Sequence, residues 1–171
     1  MNMKSSNYVR IAVAVLVPAA NWAVDRAAKL LALRFLKDRE PIIFFDRLIV
    51  LAYAENEGAF LGMGGGWPST VKTALLVVLP LVACLVGLGY ALRPSVRLSV
   101  ALCIFTIVGG GLGNLADRIL NDFRVIDFMN FGIGPLRTGV LNVADLSVTF
   151  GAIALVLLEY YRPSKARFAS S

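Results

Sequence analysis

Asn114, Asp117 and Arg118 stand at i, i+3 and i+4, and Asn142 and Asp145 repeat the i, i+3 interval. On a helix such spacings bring side chains to one face, so each group aims its polar atoms at a common neighbour. Asp127 lies between the two groups, in the short apolar run VIDF. Two carboxylates held close together where water is scarce do not both ionise cheaply. They share a proton, one serving as a base towards water and the other as an acid. That is the chemistry of an aspartic peptidase, and Asp127 and Asp145, reaching in from separate elements, are the pair expected to perform it. Asp117 and Arg118 are expected to form an ion pair that braces the site.

Other chemistries are poorly supplied. The chain has no histidine, which removes histidine triads and relays from consideration. Its two cysteines, Cys84 and Cys103, lie in apolar segments with no CxxC or histidine partner, so neither a disulfide nor a metal site is expected. Carboxylates, amides and hydroxyls are left, and no cofactor is called for.

The elements that must position these groups are oily. Of 171 residues 58% are hydrophobic and only 16% charged, with a mean hydropathy of +0.74, against roughly 25% charged in soluble domains. The reading is an all-α membrane protein: a single domain over 1–171, built as a four-helix transmembrane bundle with spans at about 9–35, 71–92, 98–120 and 141–161. The first apolar stretch runs on past Asn21 and Asp25 without a small-residue cleavage site, so it is read as a retained span. It contains Pro18, and Asp25 and Lys29 stand at i, i+4, the simplest way to hold two charges there. Gly109 and Gly113 form a G-x-x-x-G that lets another helix approach closely.

Residues 37–70 change character. PIIFF and RLIVLAYA are too short to span and predict a small extramembrane β-rich insert, with Asp46 and Arg47 at its turn. Residues 121–140 read as a loop, in which Asp122 and Arg124 are solvated charges. Trp22, Trp67, Tyr160 and Tyr161 suit the membrane interface.

Four spans place both termini on one side. Lys4, Arg10, Arg93, Arg97, Arg162, Lys165 and Arg167 fall in the three segments on that side, with no acid among them, which predicts a cytoplasmic location for both ends. The aspartates of the polar pocket then lie at the outer ends of the spans. The net charge of +6 accordingly reads as topology and lipid-headgroup contact, with no role in nucleic-acid binding.

The order of the polar blocks carries a resemblance. VDRAAK at 24–29, ENEGAF at 55–60, GGGLGNLADR at 109–118 with VIDF at 125–128, and LNVAD at 141–145 follow one another as in the lipoprotein signal peptidases, the membrane aspartyl peptidases also called signal peptidase II. The chain resembles that family over nearly its full length. The resemblance implies a four-helix bundle with a small periplasmic β-cradle and a short mobile periplasmic helix over the site, in the bacterial inner membrane. It implies Asp127 and Asp145 as the catalytic dyad, Asn56, Gly58, Asn114, Arg118 and Asn142 as shapers of the substrate pocket, and Asp25, Lys29 and Asp117 as support. The implied substrate is a prolipoprotein whose lipobox cysteine already carries diacylglyceryl, cut just before that cysteine by a monomeric enzyme. Cyclic peptides of the globomycin type are the implied inhibitors. Two departures bear on the pocket: Phe60 stands where the family has a second small residue, and Ala28 where a hydroxyl is common.

Two other readings compete with this one. A small proton-coupled transporter would carry its acids at mid-depth in repeated halves, whereas here they gather towards one face and no inverted repeat is visible. A non-catalytic scaffold that binds lipidated peptides would have no need of two aspartates without adjacent cations. The bland reading of the remaining polar residues is structural, with Asp25–Lys29 and Asp117–Arg118 as buried ion pairs and Asn114 and Asn142 as interhelical hydrogen-bond glue.

Overall fold

The computed structural model describes residues 3–58 and 63–161. Four helices are long and apolar enough to cross a membrane. They are α1 (Met3–Phe35), α2 (Ser69–Ala91), α3 (Leu98–Leu120) and α4 (Val143–Tyr160). Their outward faces carry bare apolar side chains, among them Leu16, Val86, Ile119 and Val156, which suits a hydrocarbon solvent and makes this a multi-pass membrane protein.

Each helix shows how its sequence tolerates the fold. Pro18 sits inside α1 without ending it, and one turn on, Asn21 donates from its amide to the Val17 carbonyl at 2.9 Å. In α2 the turns over Thr73–Val78 widen to a π-helix just before Pro80. A proline ring lacks the N–H that would bond back four residues and crowds that carbonyl, so a widened turn relieves both problems. At the end of the bundle away from the site, Arg10 is buried and donates to the carbonyls of Ala91 and Val96, at 2.7 and 2.5 Å. It thereby ties α1 to the tight α2–α3 turn, using the free carbonyls of a helix C-terminus.

α3 is the central helix, contributing Val100, Ala101, Ile104, Phe105 and Val108 to the core. Its glycines let its neighbours in. A Cβ at Gly109 would lie 2.9 Å from the Pro18 Cα, and one at Gly113 would lie 2.8 Å from the Asp25 carboxylate. The G-x-x-x-G is therefore the α1–α3 contact, as its spacing suggests.

The extramembrane part is an antiparallel sheet in the order β1 (Ile42–Phe44), β2 (Ile49–Asn56), β3 (Val125–Ile133), β4 (Leu136–Leu141). Only half of it lies where the sequence suggested a β-rich insert. Residues 125–141, read as loop, supply the other half. Gly132 and Gly134 disguised the pattern: Gly132 falls at a register shift, where a side chain would collide with Arg137, and Gly134 turns the hairpin with φ +55°. The expected turn at Asp46 and Arg47 is present, both with positive φ. The fourth helix begins at Val143, two residues later than expected, because Asn142 caps it. The short outer helix implied by the resemblance has no counterpart among the described residues, of which 63–66 form a turn. Phe60 lies outside them.

Candidate active site

The site lies where the sheet meets the C-terminal ends of α1 and α3 and the N-terminal end of α4. Asp145 is placed by local sequence alone. Asn142 is the N-cap of α4, its side chain accepting from the Asp145 N–H at 2.9 Å, while the Asp145 carboxylate accepts the Asn142 N–H at 3.1 Å. This reciprocal capping box holds Asp145 in the first turn, where free N–H groups and the helix dipole attract negative charge.

Asp127 is placed by the sheet. It pairs with Ala54 across β2–β3, so Asn56, two residues along on the same face, is its diagonal neighbour. Asn56 accepts the Gly58 N–H at 3.0 Å with its side-chain oxygen, which turns its amide nitrogen to the Asp127 carboxylate at 3.2 Å. α3 is joined to β3 by a short reversal in which Asp122 and Phe123 both take positive φ and the Phe123 N–H bonds back to the Arg118 carbonyl.

Two amides join the carboxylates. Because the Asn142 oxygen is committed to a backbone donor, its nitrogen faces the site and donates both to Asp127 at 2.6 Å and to the Asn114 oxygen at 3.0 Å. Asn114 accepts also from Lys29 at 3.1 Å and donates to Asp145 at 2.8 Å. Donor and acceptor ends of both amides are thus fixed by their partners.

Beneath this layer lies a second one, made of charges. Lys29 is fully buried and spends its three N–H donors on Asp25 (2.7 Å), Asp117 (2.9 Å) and Asn114. Asp25 also accepts the Ala144 N–H, and Asp117 accepts the Ile126 N–H, so the two acids hold the backbone beside each dyad member. The expected Asp117–Arg118 pair does not form. Asp117 bonds to Arg26 at 3.0 Å and to Lys29 instead, while Arg118 donates to the carbonyls of Gly58 and Phe123. Consecutive residues on a helix point about 100° apart, so only Asn114 and Arg118, four apart, share the pocket side. Arg26, the partner sequence reasoning missed, pairs with a residue 91 positions away. No local signal announces it. Arg124, expected to be a solvated charge, pairs at the surface with Glu57 at 3.1 Å. Ala28, where a hydroxyl is common, packs against the Ala32–Leu36–Phe128 cluster.

The pocket over the dyad is a cavity of about 300 Å³ whose lining includes Asn56, Asn114, Arg118, Asp127 and Asp145. A second cavity, of about 350 Å³, opens between α2, α3 and α4 past Cys84, Gly87 and Gly111 and reaches the same Asn114 and Arg118. Burial, and then the neighbouring Asp145 charge, push the Asp127 carboxyl up to about 6, against the pull of the Asn56 and Asn142 amides and Lys29. Asp127 therefore carries a proton more readily than an ordinary carboxyl. Every residue expected to be catalytic, pocket-forming or supporting is accordingly found in one connected network, with Gly58 contributing only its backbone.

Comparison with known proteins agrees with this geometry. A family model described as signal peptidase (SPase) II matches residues 17–161. A lipoprotein signal peptidase of Sulfurihydrogenibium sp. (strain YO3AOP1) is 31% identical, over 94% of this chain and 95% of its own. One from Cronobacter sakazakii (strain ATCC BAA-894) is 35% identical, over 84% of this chain and 86% of its own. A solved bacterial membrane enzyme, 20% identical, superposes with a TM-score of 0.78 over 91% of this chain and 92% of that one, which is evidence of a shared fold.

Proposed function

This chain belongs to the signal peptidase II family and is a peptidase, and we propose that it removes the signal peptide from prolipoproteins with Asp127 and Asp145 as its catalytic pair. The observation that carries the assignment is the single residue Asn142, which holds Asp145 through the capping box and Asp127 through its amide nitrogen. Two carboxylates locked to one side chain, and neither of them ion-paired among the described residues, are poised over a cavity large enough for a peptide bond.

The reaction follows from their unequal surroundings. Asp127, raised to about 6, holds the proton, and Asp145 accepts one from a water lying between them. The hydroxide so formed adds to the scissile carbonyl as Asp127 gives its proton to the carbonyl oxygen, producing a tetrahedral gem-diol. Asp145 then passes its proton to the departing amine, the C–N bond breaks, and Asp127 regains a proton from the collapsing diol. The amides of Asn56, Asn114 and Asn142 keep the carboxylates in place throughout without neutralising them.

The substrate reading is that of the relatives' names made chemical. A diacylglyceryl-modified cysteine presents an amide bond at the pocket and two acyl chains to the bilayer. The cavity past Cys84, Gly87 and Gly111 offers an apolar approach from hydrocarbon to the dyad. Both termini are assigned to the cytoplasm, since Arg10, Arg93 and Arg97 gather at the end of the bundle opposite the sheet. With that orientation the site faces the periplasm at the inner membrane, and the enzyme is read as a monomer. Globomycin-type cyclic peptides are expected to occupy the dyad pocket.

A gel-shift assay with a diacylglyceryl-modified prolipoprotein in liposomes tests the pair. Wild type cleaves, while Asp127→Asn and Asp145→Asn remain folded and lose cleavage by about three orders of magnitude or more. Full activity in either variant would remove that aspartate from the mechanism.

A further inference from the structure

A second pair of cavities lies along the seam between α1 and α3, on the far side of β3 from the dyad: Ile126 lines it, where Val125 and Asp127 line the active-site pocket. The deeper cavity, about 430 Å³, is walled by Val15, Pro18, Ala19, Trp22 and Leu112. The outer one, about 440 Å³, is walled by Leu33, Leu120 and Ile126 and carries Arg26 and Lys37. On α1 the lining residues 15, 18, 19, 22, 26 and 33 recur at intervals of 3, 1, 3, 4 and 7, which is one helix face, and Lys37 lies in the turn just past its end. Leu112 and Leu120 likewise share a face of α3. The two cavities are therefore successive stretches of one trough, apolar at membrane depth and charged at its outer end. Trp22, an interfacial residue type, stands one turn below Arg26.

The cations are only partly used. Arg26 places Nη1 on Asp117 at 3.0 Å, and the rest of its fork makes no hydrogen bond among the described residues. Lys37 lies 3.7 Å from Glu55 and 5.4 Å from the Tyr53 ring, an ion pair and a ring contact without a hydrogen bond. Glu55, Asp122 and Arg124 line the same outer cavity, Arg124 being paired with Glu57 and Glu55, so its walls carry both signs. A free anion would leave the apolar stretch empty. An amphiphile with a phosphate and a polar headgroup satisfies both ends.

We propose that this trough is a phospholipid site, holding a glycerophospholipid phosphate on Arg26 and Lys37, its headgroup amine or hydroxyls towards Glu55 and Asp122, and an acyl chain beside Trp22. The site backs onto the peptidase centre, because the other face of Arg26 is bonded to Asp117, which holds the Ile126 N–H next to Asp127.

Trp22 reports on its own site. The chain has two tryptophans, so Trp67→Phe leaves Trp22 alone. This protein, in vesicles of phosphate-free glycosyl diacylglycerol, is titrated with acyl-brominated phosphatidylglycerol or acyl-brominated glycosyl diacylglycerol while Trp22 fluorescence is read. The phospholipid is expected to half-quench at a mole fraction lower by about fivefold per cation engaged. Lys37→Gln, at an exposed rim position, and Arg26→Gln each lower that preference by about fivefold, the double variant abolishes it, and Arg26→Lys lowers it less than Arg26→Gln. Equal quenching by both lipids, or a preference unchanged in Lys37→Gln and Arg26→Gln, overturns the proposal. So does a Trp22 shielded from both lipids whose shielding disappears on dilution of the protein, because a second copy would then cover the seam.

Discussion

The polar interior of this protein has two layers, and they treat carboxylates in opposite ways. In the inner layer Asp25 and Asp117 each face Lys29, and Asp117 also faces Arg26, so two acids meet two cations. In the outer layer, among the described residues, Asp127 and Asp145 have only amides and backbone N–H groups as hydrogen-bond partners. A carboxylate bonded to an ammonium has its lone pairs committed to a counter-charge. One held by amides is oriented without being neutralised. On the proposed reading the inner layer is scaffolding and the outer layer is machinery, although both are built from aspartate, three of them on separate helices and Asp127 on β3.

The same substitution made in each layer is the sharpest way to break that contrast. Asp127→Asn should remove activity by about three orders of magnitude and leave thermal stability near wild type in detergent. Asp117→Asn should do the reverse, retaining measurable turnover per folded molecule while destabilising the protein by about 3 kcal/mol, because Lys29 and Arg26 lose a buried counter-charge. If the two variants behave alike, the division between layers is wrong. Lys29→Met should be costlier to stability than either, about 3–5 kcal/mol, since it strands two acids at once. Thermal unfolding followed by helix content measures this.

Asn142 is where the layers of argument meet, and Asn142→Ala probes it at smaller magnitude. Loss of the cap costs about 1 kcal/mol, and kcat should fall by about ten- to a hundredfold as Asp127 and Asp145 lose their common partner. Steady-state cleavage with an unchanged KM would place the effect on the dyad and not on substrate binding.

The smallest effect expected is a shift in pH dependence. Asp127 sits above its ordinary value, at about 6. Its protonated form is favoured by folding, so that stabilisation is complete below the unfolded carboxyl value and is lost as pH rises through about 6. The proton needed for catalysis disappears over the same interval, and kcat/KM should fall on the alkaline side. The Asn56 bond opposes the shift, so Asn56→Ala should move the alkaline limb upward. A limb unmoved by this change would mean that Asp127 does not set it.

Much of this was readable from residue order. The spans, the Asp25–Lys29 pair, the α1–α3 glycine contact and the two catalytic candidates follow from hydropathy, from spacing on a helix and from the resemblance in block order. What was misread had definite causes. The loop at 121–140 hides β3 and β4 because its glycines mark a register shift and a turn within a sheet whose other half lies some 70 residues earlier. Asp117 and Arg118 were paired on adjacency, which a helix does not honour.

By itself the sequence determined the solvent, the four helices, the local capping box that seats Asp145 and the absence of histidine chemistry. Those depend on composition and on contacts within a few residues. Only the tertiary structure decided which aspartates meet a cation and which are held by amides. Lys29 reaches Asn114 across 85 residues and Arg26 reaches Asp117 across 91, while Asn142 reaches Asp127 across the β3–β4 hairpin. Charge partners in a membrane interior are chosen by which helix faces meet, and helix packing rather than residue order brings those faces together.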